Sequence, residues 1–201
     1  MSVRVSTESY YLQIEGFKPG LLDQRVSVEA GRWGEDKLQF IYEQTPHNIS
    51  NTARTYLVKQ STGVYTLPDG MQSSLQTSTA NANKFLFESP SVPLGVNRQK
   101  AGMSYSYNTA GLWRLNLAYE AEKKEGAKDT GIAYGHGQLQ EVLEPVNYQN
   151  HRVNFGTEYV TPNMGFSAGY QFSQFENGIK SLTVDNPFQL THGALSASGS
   201  S

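Results

Sequence analysis

Seven segments of this chain alternate apolar and polar residues with a period of two, each over about ten positions. Between 112 and 122, Trp113, Leu115, Leu117, Tyr119 and Ala121 share one face. Arg114, Asn116, Glu120 and Glu122 share the other. Successive side chains of an extended strand point to opposite sides, so this pattern gives a strand with one uncharged face and one hydrated face. The same alternation sets Tyr10, Leu12 and Ile14 against Tyr11, Gln13 and Glu15, and Val26, Val28 and Ala30 against Arg25, Ser27 and Glu29. It continues with Leu38, Phe40 and Tyr42 against Lys37, Gln39 and Glu43, and with Ala101, Met103, Tyr105 and Tyr107 against Arg98, Lys100, Ser104 and Ser106. Val153, Phe155 and Tyr159 stand against Arg152, Asn154 and Glu158, and Phe166, Ala168, Tyr170 and Phe172 against Ser167, Gln171 and Ser173. A strand with one face in lipid and the other in water needs this arrangement.

The connections alternate in length. Tight turns join the second strand to the third, the fourth to the fifth (Asn108-Thr109-Ala110-Gly111) and the sixth to the seventh, while longer stretches lie at 18–23, about 44–94 and 123–148. This parity predicts an all-β, antiparallel up-and-down transmembrane barrel with its long loops on one side and the N-terminus on the short-turn side. The expected organisation is a lead-in over 1–9, a partial barrel over 10–191 and a Ser-rich tail over 192–201. Seven strands leave open edges, and unpaired backbone groups in lipid cost several kcal/mol each, so further strands of the same chain are expected to close the wall. The first eight residues lack the apolar stretch of a signal peptide. Either the protein is not exported, or the chain lacks its true start.

A soluble antiparallel sandwich, acting as a binding domain, also alternates. Long, even strands, aromatic residues near the ends of the apolar faces and alternating loop lengths favour the barrel. The two readings separate experimentally, since the sandwich would extract into buffer without detergent.

Composition narrows the function. Mean hydropathy is −0.51 over 201 residues, and no run approaches the ~18 apolar residues of a membrane helix. Net charge is −2 with a pI near 6.1, so there is no basic footprint for nucleic acid. The chain has no Cys, hence no thiolate zinc site and no C-x-x-C-H haem attachment of its own. His47, His136, His151 and His192 each stand alone, without a second ligand at metal spacing. No phosphate-binding loop, nucleophile elbow or zinc-helix motif occurs, so an enzyme reading has no residue to stand on.

Three segments are distinctive. The first leaves the third strand as Thr45-Pro46-His47-Asn48-Ile49-Ser50 and continues through Ala53-Arg54-Thr55; its Pro, Asn and Ser suggest a shaped loop anchored by Arg54. The second is Glu144-Pro145-Val146-Asn147-Tyr148, and the third Ser181-Leu182-Thr183-Val184-Asp185-Asn186-Pro187-Phe188. In this order, with Leu67-Pro68-Asp69 between the first two, they resemble the MtrB/PioB family of decahaem-associated outer-membrane β-barrels, over 10–191. The family-motif positions are Pro46, His47, Asn48, Ser50, Ala53, Arg54, Glu144, Pro145, Tyr148, Asn186, Pro187 and Phe188.

The resemblance implies a porin-like sheath in the bacterial outer membrane. Such a barrel surrounds a periplasmic multihaem c-type cytochrome and often meets a second, surface-exposed one. The partner carries the haem, and this chain binds no cofactor. The polar faces suit that role, since Glu15, Arg25, Glu29, Lys37, Arg98, Lys100, Arg114, Glu120, Arg152 and Glu158 would line the lumen and face a partner. A general porin with a water-filled lumen remains the alternative, separated by a neighbouring multihaem cytochrome gene and by haem co-purification.

Overall fold

The computed structural model describes residues 1–68, 70–77, 80–109, 112–135 and 138–188. Eight strands form one antiparallel sheet: β1 (Ser2–Ser6), β2 (Tyr10–Phe17), β3 (Arg25–Arg32), β4 (Asp36–Arg54), β7 (Ser91–Thr109), β8 (Trp113–Gly135), β9 (Gln138–Thr161) and β10 (Met164–Asn177), hydrogen-bonded in that order. Between β4 and β7 the chain makes β5 (Val58–Ser61), β6 (Val64–Thr66), α1 (Met71–Thr77) and α2 (Ala80–Glu88). After β10, β11 (Thr183–Val184) runs parallel to β6 in a small sheet ordered β11-β6-β5. No helix among the described residues is long and apolar enough to cross a membrane. The chain divides into two compact units.

The first unit, Met1–His47, Asn97–Glu125 and Asn147–Gly178, is the wall. Registers align like with like: Leu12 pairs with Ala30, Ile14 with Val28, Val28 with Phe40, Ala30 with Leu38, and Phe166 with Tyr159. One residue of slip would turn a strand's apolar set to the other side. The short turns hold the register through side chains that accept from nearby amides. Thr7 Oγ1 accepts from Tyr10 N (3.0 Å), Thr109 Oγ1 from Trp113 N (3.2 Å) and Thr161 Oγ1 from Met164 N (3.0 Å), while Asp36 Oδ1 accepts from Arg32 N (2.9 Å). These local bonds replace ladder bonds that a reversing chain cannot make.

The apolar face of this unit stays uncovered. Leu117 is 50% exposed and Phe155 47%, and Leu12, Phe40, Met103, Phe166 and Phe172 are exposed as well. All the buried hydrophobic side chains among the described residues (Leu57, Tyr65, Met71, Leu75, Leu94, Val142 and Val146) belong to the second unit. A sandwich would bury its apolar face against another sheet. A single layer with this face outward is instead the construction of a membrane wall.

The second unit, Asn48–Val96, Gly126–Val146 and the chain after Ile179, has a conventional core. Leu57, Tyr65 and Val142 are buried together, with Tyr56, Leu67, Ile132, Leu143, Leu182 and Val184 packed around them. Gly63 has φ +78°, and a Cβ there would stand 2.3 Å from the Ser181 carbonyl oxygen, so only glycine admits the close approach that brings β11 beside β6.

Four sequence expectations change. The wall has eight described strands rather than seven, because β1 occupies part of the expected lead-in. It runs antiparallel to β2, with the Met1 amine donating to the Gly16 carbonyl (2.8 Å), which moves the first residue to the end opposite the short turns. The stretch 44–94 is not a loop throughout: β4 continues to Arg54, and Pro46 fits inside it for a simple reason. Gln44 N donates to Gln24 O (2.8 Å); two residues on, the missing N–H of Pro46 points to the same side, where β3 has ended. The stretch 123–148 is likewise mostly strand, with β8 running to Gly135 and β9 starting at Gln138. Ala110 and Gly111 of the predicted hairpin turn, Asp69, His136 and the tail from 189 on lie outside the described residues.

Candidate functional site: the polar face of the wall

The hydrated positions of β3, β4 and β7–β9 are joined by ion pairs that cross from strand to strand. Lys37 Nζ lies 2.6 Å from Glu29, which also accepts from Gln39 Nε2 (3.4 Å). On β7 and β8, Lys100 reaches Glu120 (2.6 Å), and Arg98 donates through Nε to Glu122 (2.7 Å). From β9, Arg152 approaches the other oxygen of Glu120 (3.9 Å), and Glu158 lies 3.5 Å from Arg114. Lys124 adds a second cation to Glu122 (3.2 Å). Arg25 stands in register with Glu43 and Phe17, and Glu15 with Ser27. The ten charged positions expected on the lumen side therefore share this face by alternation, and most are already paired within the wall.

Near the short turns the polar face carries an aromatic group too. The Tyr11 and Trp33 rings lie 4.5 Å apart, with the Arg4 guanidinium 5.6 Å from the Trp33 centroid and Trp33 Nε1 donating to Thr7 O (3.2 Å).

The apolar face is bounded at both ends. Towards the short turns, Trp113 and Tyr159 rings sit 4.8 Å apart. Towards the other end, Tyr119 Oη bonds His151 Nδ1 (2.8 Å), so His151, read from sequence as isolated, has an aromatic partner. Continuing the same alternation past Val26, Tyr42 and Ala101, the outward positions become polar. Gln24 Nε2 donates to Gln44 Oε1 (3.2 Å) and Gln44 Nε2 to Asn97 Oδ1 (3.4 Å). From Trp113 to Ala121 the apolar stretch rises roughly 26 Å along the strand, or ~20 Å after a typical barrel tilt, near the height of an outer-membrane barrel's apolar band.

A wall of this kind has relatives. The chain matches the MtrB/PioB family of outer membrane beta-barrel porins over residues 1–200. The chain belongs to the MtrB/PioB family. It is also 27% identical over 188 residues, 93% of its length, to the outer membrane protein MtrB of Shewanella baltica (strain OS185). The chain spans about a quarter (26%) of that relative's length. It is an outer-membrane β-barrel protein of a porin family, and that family is not one of enzymes.

The MtrB/PioB motif positions do not gather on the polar face. Pro46, His47, Asn48, Ser50, Ala53 and Arg54 lie along β4 as an extended strand rather than a shaped loop, with His47 and Asn48 exposed. Arg54 Nη1 donates to the carbonyls of Phe87 (2.6 Å) and Ser89 (2.8 Å), at the end of α2. A cation there satisfies carbonyls that a helix terminus leaves unbonded and complements its dipole. An Arg54→Ala variant is expected to lose about 1–2 kcal/mol of local stability, read as roughly tenfold faster amide exchange over 85–89. Glu144 pairs with Lys128 (3.2 Å) beside Pro145, and Tyr148 packs on Phe175 at 5.5 Å.

The third motif fastens the second unit. Asp185 Oδ2 accepts from Leu67 N (3.0 Å), Asn186 O accepts from Gln72 Nε2 (2.9 Å), and Asn186 Oδ1 accepts from Phe188 N (2.8 Å) across Pro187. Phe188 meets Tyr134 edge-on at 5.9 Å. Tyr134 Oη donates to Gln140 Oε1 (3.1 Å), and Gln140 Nε2 donates to Tyr56 Oη (3.2 Å). Burial pushes the Tyr56, Tyr65 and Tyr134 phenols above their ordinary range, so they stay neutral. Among the described residues no cluster of His, Cys, Asp or Glu could hold a metal.

Proposed function

We propose that this chain is part of a barrel wall that sheaths a multihaem c-type cytochrome and holds it across the outer membrane. Electrons would pass along the partner's haems while the wall insulates them from lipid and does no redox chemistry itself. The observation that carries this reading is the two-sided wall: an uncovered apolar face opposite a face of mixed charges paired across strands. A mixed, largely pre-paired surface can be covered by a protein without stranding isolated charges, whereas burying unpaired ones would cost several kcal/mol each. Family membership supports the same reading.

The test is purification of the protein from outer membranes in mild detergent. Haem-staining cytochrome is expected to accompany it in fixed ratio, and the complex in planar bilayers should pass little ionic current. Haem-free barrels with a large steady conductance would establish the general porin instead.

A further inference from the structure

The charges of the polar face are unevenly distributed. On β1–β4 the carboxylates Glu15, Glu29 and Glu43 are balanced by the cations Arg4, Arg25 and Lys37. On β7–β9 cations predominate: Arg98, Lys100, Lys124 and Arg152 surround Glu120 and Glu122. Each of these two carboxylates is shared between two cations, and with Glu43 of the adjoining β4 also acting on Arg98 the cluster as a whole keeps a positive charge over. Depth separates the signs further. Side chains of Glu122 and Glu120 are 16% and 27% exposed, against 42% for Lys124 and 41% for Arg152. Arg98, Lys124 and Arg152 are therefore the more accessible groups, while Lys100, at 30%, lies about as deep as Glu120. Beside the cluster the same face is low, with Gly156 in register with Gly169, and Gly102 and Ala118 on the neighbouring strands. A bulky partner can therefore approach this part of the wall closely.

We propose that the Arg98–Lys100–Lys124–Arg152 cluster docks an acidic patch on the surface of the protein that the barrel encloses. This rests on the sheath reading and deepens it by naming the contact chemistry. Charge complementarity selects an acidic protein surface. Carboxylates on that surface would take up the cationic excess, whereas the balanced β1–β4 side offers them no such gain, and this difference would fix the partner's rotation.

The experiment follows haem retained per barrel as salt is raised over complex immobilised from outer membranes. Wild type is compared with K100E/R152E, with the milder K100Q/K124Q, which leaves the Arg98–Glu122 and Arg152–Glu120 pairs in place, and with a K37E/E29K swap that preserves charge on β3–β4. Folding is checked by gel migration without boiling. Both cluster variants are expected to release the cytochrome at about two- to threefold lower salt than wild type, with the swap unchanged. Folded K100Q/K124Q that retains haem to the wild-type salt concentration overturns the docking site and leaves the sheath standing. Wild type that carries no haem at low salt overturns the sheath itself, and the docking site with it. Anion-selective conductance in such haem-free barrels would assign the cluster to small anions.

Discussion

Leu117→Arg is expected to prevent the protein from accumulating in the outer membrane, whereas Asn116→Arg, one position earlier, should leave it near wild-type level. Leu117 lies midway along the apolar stretch bounded by Trp113 and Ala121, and half of its surface is uncovered. In water, an exposed leucine replaced by arginine would cost almost nothing. Facing hydrocarbon near the bilayer midplane, the arginine costs ~2–4 kcal/mol, which lowers the assembled fraction more than tenfold where assembly is marginal. Asn116 points to the opposite side, in the face that carries Arg114 and Glu120, where another cation meets water or polar groups. The measurement is the amount in the outer-membrane fraction and its migration on unboiled gels. Equal tolerance of both substitutions would mean that no lipid touches the Leu117 face, and the wall interpretation would fall.

The wall was legible because its two faces differ so sharply in chemistry. A period of two places Leu12, Val28, Phe40, Met103, Leu117, Phe155 and Phe166 together without any knowledge of which strand pairs with which. The structure leaves this face uncovered, with all of these residues exposed except the half-buried Val28. Pairings were less legible, because they depend on register, and register is fixed at the turns by single hydrogen bonds such as Thr109 Oγ1 to Trp113 N. A Thr opening each short turn at 7, 109 and 161 is a signal the sequence did contain. β1 escaped notice because Val3 and Val5 around Arg4 give too brief an alternation.

The second unit was hidden for a different reason. Its parts come from three separated stretches, and its small core is assembled from Leu57, Tyr65 and Val142, which no local periodicity connects. The polar composition of 44–94 and 123–148 suggested loops, yet β8 and β9 run through most of the second stretch and pair their polar side chains, as Lys128 does with Glu144. The motif residues follow the same logic. The side chains of Arg54, Asp185 and Asn186 bond backbone groups of the second unit, so these segments are legible as folding determinants once the structure is known. The polar-face charges share one side by alternation alone, whereas their mutual partners required coordinates.

Leu57→Ala is expected to loosen the second unit while the wall still assembles. Leu57 is 7% exposed and sits against Tyr65 and Val142, so truncation removes buried methyl groups and leaves a cavity, at a cost of about 2–4 kcal/mol. So small a core has little stability in reserve. Tyr65 anchors both neighbours of its short strand: Val58 and Lys59 pair with Thr66 and Tyr65, and Asp185 N donates to Tyr65 O (3.1 Å). Loss of packing at Leu57 should therefore release β5, β6 and β11 together. Protease added to intact outer membranes should cleave within 48–96 at least tenfold faster in the variant, with gel migration of the wall unchanged. Val58→Ala, at an exposed neighbouring position, supplies the control and should behave as wild type. Because the buried hydrophobic side chains among the described residues all belong to the second unit, a Leu57→Ala protein that vanished from the outer membrane as completely as Leu117→Arg would show that the wall cannot assemble unless the second unit is already formed.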